Sequence, residues 1–105
     1  VGHNGLMDRM LERDFPARDK VGREVIILGC VSRDWFREPL RQNGATPLLW
    51  TTGPMAPEAC TLGAALDAWV AREEAGTVRE RAAQAHGRYR KCGINGARRL
   101  LATAW

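Results

Sequence analysis

The apolar residues change their spacing along the chain, and each change marks an element. Val25-Ile26-Ile27-Leu28 is a continuous apolar run, which predicts a strand over 24–29 covered on both faces, as in a parallel sheet. Upstream, Leu6, Met7, Met10 and Leu11 recur at helical spacing until Phe15-Pro16. Residues 17–23 are charged, contain Gly22 and read as a loop. Ser32 is placed to cap a helix over about 33–42, with Phe36 and Leu40 on one face. Pro39 should shorten or kink that helix, and Asn43-Gly44 should close it on a left-handed residue. A second buried strand follows over 47–51, then a Thr52-Gly53-Pro54 turn.

The rest of the chain reads as helix. Over 57–75, Ala59, Leu62, Leu66, Trp69 and Val70 make one apolar stripe, and Gly76 is the stop. Thr77 and Glu80 have capping-box spacing ahead of a helix carrying Val78, Ala82, Ala85, Tyr89 and Cys92, with Gly93 as its end. Asn95 is placed to open a last short helix with Leu100, Leu101 and Trp105. Strands alternating with helices imply an α/β domain with a parallel sheet. Two strands make a thin sheet with edges to cover, so the chain reads as the later part of such a domain, preceded by strands or completed by an oligomer partner.

Composition narrows the class. The 105 residues fit one domain and carry a net charge of +4, with 45% hydrophobic and 27% charged residues, as expected of a globular protein. No block of about five like charges occurs, so the charge reads as solvated helix faces. Arg79, Arg81, Arg88, Arg90, Lys91, Arg98 and Arg99 could meet nucleic acid, but only Tyr89 is interleaved among them, which disfavours that partner. Cys30, Cys60 and Cys92 form no C-x-x-C pair. A structural zinc or a disulfide framework is not expected, no cofactor is called for, and a reducing, cytoplasmic setting is the default. No run approaches the ~20 apolar residues of a membrane span, and no signal peptide is recognised.

Two residues could carry chemistry together. Cys30 falls where the first strand ends and a helix begins, the position where open α/β sheets hold their active sites. A helix N-terminus stabilises a thiolate, and the amides around Gly29–Val31 could receive an oxyanion. His3 lies in Gly2-His3-Asn4-Gly5, an open loop from which an imidazole could take the thiol proton. Elsewhere His86 reads as solvated or half-buried, and the four tryptophans as core or interface anchors.

These elements resemble cysteine peptidases of the caspase type, which include caspases, gingipains, separases and bacterial CHAT domains. Val1-Gly2-His3-Asn4-Gly5 is similar to their strand-His-Gly element. Val25-Ile26-Ile27-Leu28-Gly29-Cys30-Val31-Ser32 is similar to their strand ending in Cys with a small polar residue soon after. Gly44-Ala45-Thr46-Pro47-Leu48-Leu49-Trp50-Thr51-Thr52 and the helix after it are similar to the following run in CHAT-like members. The resemblance implies a partial three-layer parallel sheet of caspase-like type with a helical C-terminal part, in one domain over 1–105. It implies a hydrolase acting on a peptide or protein through a thioester, with Cys30 as nucleophile, His3 as general base, and Gly2 and Gly29 shaping the loops that carry them. The alternative is a non-enzymatic protein-interaction module on the same scaffold, with a vestigial dyad.

Overall fold

The computed structural model describes residues 21–56 and 58–105. Strand β1 (Glu24–Ile27) leads through a turn to helix α1 (Ser32–Asn43) and strand β2 (Thr46–Thr51). Helices α2 (Ala59–Val70), α3 (Ala75–Arg90) and α4 (Ile94–Leu100) follow, and a short strand β3 (Leu101–Ala102) ends the series. The sheet order is β1-β2-β3, with β1 parallel and β3 antiparallel to β2. The fold is therefore mixed α/β with a mixed sheet. The expected parallel pair is present, and so is the expected last short helix, which as α4 ends at Leu100 and leaves Leu101 and Trp105 outside it. Leu101 pairs with Thr51 and Ala102 with Trp50, while the Trp105 ring meets Trp50 edge-on at 5.6 Å and lies under the Arg41 guanidinium.

The β1/β2 register slips by one residue: Val25 faces Pro47, but Ile26 faces Leu49. Leu48 is the extra residue, and such a bulge breaks strict alternation. Leu48 and Leu49 accordingly both belong to the core that also holds Leu28, Met55, Val78, Ala97 and Leu101.

Helix α1 closes as expected. Gly44 takes φ 75°, its amide bonds Arg41 O, and the Ala45 amide reaches Leu40 O. This 6→1 arrangement needs a left-handed residue, which glycine adopts without a Cβ penalty. Pro39 lies inside the helix, which continues to Asn43. Two other helix ends differ from expectation for one reason. The left-handed residues that end α2 and α3 are Arg72 (φ 58°) and Lys91 (φ 52°), several residues before Gly76 and just before Gly93. Helix α2 thus stops at Val70, and the Glu73 amide reaches back to Ala68 O. The Thr77–Glu80 capping box does not form. Helix α3 starts at Ala75 with no side-chain cap, and Glu80 instead takes the Arg98 fork at 2.9 and 2.6 Å.

Of the apolar stripe on α2, Leu62 packs against the core but the larger part faces outward. Leu66, Trp69 and Val70 are 41%, 48% and 72% exposed, while Thr61, Ala65 and Ala68 are buried. Helix α3 answers with Val78, Ala82, Ala83 and Ala85. Two faces of small side chains let the helix backbones approach, and that close packing outweighs the larger apolar area on the other side. Gly87 is used the same way. A Cβ there would sit 3.3 Å from the backbone of Gly93 and 3.5 Å from Ile94 Cα, so α3 and the segment into α4 pack without a side chain between them.

Candidate functional site

Because β1 and β2 are parallel, their carboxyl ends leave the sheet at the same edge. Two segments meet there: 28–32, leading into α1, and 51–55, leading out of β2. Buried hydroxyls join them. Ser32 Oγ donates to Ile27 O at 2.7 Å and accepts the Thr51 amide at 2.9 Å. Thr51 Oγ1 donates to Gly29 O and accepts the Ser32 amide at 3.1 Å. The two hydroxyl oxygens lie 2.9 Å apart, and both residues are fully buried. Each hydroxyl therefore satisfies one backbone carbonyl and one amide that water does not reach. Ser32 is the first helical residue rather than the expected N-cap. Val31 holds the cap position, with no side-chain cap.

Val31 adopts φ 51°, ψ 37°, a conformation that costs a β-branched residue about 1–3 kcal/mol. Its neighbours impose it. The Val31 amide donates to Gly53 O at 2.9 Å, and its carbonyl accepts the Asp34 amide at 3.1 Å. The amides of Val31 and Ser32 are thus already committed, and neither is free to receive an oxyanion.

Cys30 precedes the strained residue. Its sulfur lies 3.4 Å from both Met55 O and Met55 N, as donor to the first and acceptor from the second. The side chain is partly exposed. Gly29 is buried and serves through its carbonyl. His3 and Gly2 lie outside the described residues, so the expected Cys30–His3 pairing does too.

His86 is a correction. It is 4% exposed rather than solvated or half-buried, and its Nδ1 lies 3.2 Å from Thr61 Oγ1 at the α2/α3 contact. Burial, aided by the Arg90 charge and opposed by Glu58, holds its pKa below the usual 6.5. Cys60 and Cys92 are free and exposed. Among the described residues no group of three His, Cys, Asp or Glu could hold a metal ion, and no helix is long and apolar enough to cross a membrane. Much of the basic surface is internally paired: Arg81 with Glu73, Arg90 with Glu58 at 2.8 Å, and Arg98 with Glu80. Comparison with protein-family models, curated proteins and solved structures finds no match.

The Ser32–Thr51 clamp was not anticipated from sequence. Its signal was a hydroxyl two residues past Cys30 and another ending the second strand.

Proposed function

We propose that this chain carries the nucleophile of a cysteine hydrolase of the caspase type that cleaves peptide bonds. One observation carries the reading. A partly exposed thiol stands past the carboxyl edge of a parallel strand pair, on a turn held in a strained shape by a buried hydroxyl clamp. Strain retained beside a nucleophile is a common mark of functional turns.

In this reaction the Cys30 sulfur attacks the scissile carbonyl carbon while His3 takes the thiol proton. The tetrahedral oxyanion meets the amides of Gly29 and Cys30, the Val31 amide being occupied by Gly53 O. Collapse breaks the C–N bond, and His3 returns its proton to the leaving amine. Water, deprotonated by His3, then cleaves the thioester and restores the thiol. A substrate must displace the sulfur from its paired contact with the Met55 backbone, so the 53–55 segment would form one wall of the cleft.

The test is alkylation of the full chain by iodoacetamide, with Cys60→Ser and Cys92→Ser removing the two exposed thiols. Cys30 should react faster than either exposed cysteine restored singly, and His3→Ala should slow it at neutral pH. Reaction of Cys30 at the rate of an ordinary exposed thiol, unchanged by His3→Ala, would reject the dyad.

A further inference from the structure

A pocket of about 360 Å³ opens where the start of α1, the end of β2, α3 and the α4–β3 segment meet. Arg33, Arg79, Arg98, Arg99, Thr52 and Thr103 line it, and among the described residues no aromatic ring does. Four arginines lining one concavity need counter-charge. Arg98 has it, in a two-pronged pair with Glu80. Arg33 has only a 3.5 Å contact to its exposed neighbour Asp34. Among the described residues Arg79 is hydrogen-bonded to no carboxylate. Its Nε donates to Leu101 O at 2.6 Å and its Nη2 to Arg98 O, which fixes the plane of the guanidinium, and its charge is felt only by the Glu80 carboxylate that Arg98 already holds, among the described residues. Arg99 makes no side-chain bond among the described residues. The Thr52 hydroxyl, spent on the Arg99 and Leu100 carbonyls, holds the α4 end against β2.

We propose that this pocket is a binding site for a small phosphate-bearing dianion. Among the described residues two carboxylates, Asp34 and Glu80, answer these four arginines, leaving two charges over. A guanidinium fork matches phosphate oxygens, and Arg79 is already oriented by backbone carbonyls, so little freedom is lost on binding. The basic residues converge on one concavity rather than run in a stripe. Without aromatic platforms the site suits a small ligand rather than a single-stranded polymer. The assignment is independent of the role of Cys30.

The test is calorimetric titration of the full chain with inorganic pyrophosphate at fixed ionic strength. Saturable binding at one site is expected. Arg33→Ala and Arg99→Ala, neither of which removes a bond between elements, should each weaken it by about tenfold, as loss of one charge-assisted contact implies. Glu80→Gln, which frees Arg98, should tighten it, and Arg88→Ala, outside the pocket, should leave it unchanged. Affinity insensitive to both pocket arginines, or equally reduced by Arg88→Ala, overturns the assignment. So does malonate binding as tightly as pyrophosphate, or a single-stranded oligonucleotide binding where pyrophosphate does not.

Discussion

Replacing Thr51 by valine keeps the side chain's shape and removes one oxygen. That oxygen donates to Gly29 O and accepts the Ser32 amide, and Thr51 is fully buried. The substitution therefore strands one carbonyl and one amide away from water. Each such orphan costs about 1–3 kcal/mol, so the loss should be about 2–6 kcal/mol. A domain holds together by only about 5–15 kcal/mol, and the variant should be visibly weakened. Urea unfolding followed by tryptophan fluorescence measures this, with a lowered midpoint and an unchanged slope expected if only the folded state suffers. Thr77→Val, at an exposed position on α3, is the control and should shift the midpoint little. A loss below about 0.5 kcal/mol for Thr51→Val, the scale of an ordinary surface change, would refute the idea that the hydroxyl pair holds the two strand ends together.

Gly87→Ala should destabilise by about 1–3 kcal/mol in the same assay, because the new methyl meets backbone at 3.3 Å rather than a side chain that can swing away. Arg72→Gly should stabilise by up to about 1 kcal/mol, read as a raised urea midpoint, since it relieves a left-handed residue at an exposed site. His86 gives a pH dependence. Its pKa is depressed by burial in the folded chain, so the unfolded chain binds the proton more readily. Its contribution should be complete above about pH 6.5 and should fall as acid protonates the unfolded chain. Urea midpoints at pH 7.5 and 5.5 should differ by less in His86→Gln than in the parent, and an equal difference would show that other groups carry the effect.

Where local chemistry decides, the sequence was readable. The β1 run, the Gly44 stop and the α3 face through Val78, Ala82 and Ala85 follow from apolar spacing and one glycine and are present, although the same face was expected to run on through Tyr89 and Cys92, which are exposed, Cys92 beyond the helix end. Where tertiary contact decides, it was not. Leu101 looks like a helix residue but finds an open strand at Thr51. The stops at Arg72 and Lys91 carry no compositional mark, because any residue can be forced left-handed when the following amides are captured. On α2 the larger apolar residues suggested the buried face, yet alanines facing alanines set the contact. At the candidate site, the place of Cys30 beyond the strand was legible. Ser32 suggested a cap, and nothing local indicates that its hydroxyl would instead face Thr51, 19 residues away.

The unfavourable dihedrals of Val31 have a consequence for control. A turn that would relax if left alone keeps its form only while Gly53 holds the Val31 amide and Thr51 holds the Gly29 carbonyl. The position of the Cys30 sulfur is thus set by the loop after β2 as much as by its own strand. A ligand that pulls on residues 51–55 would let the thiol carrier spring to another shape without touching it.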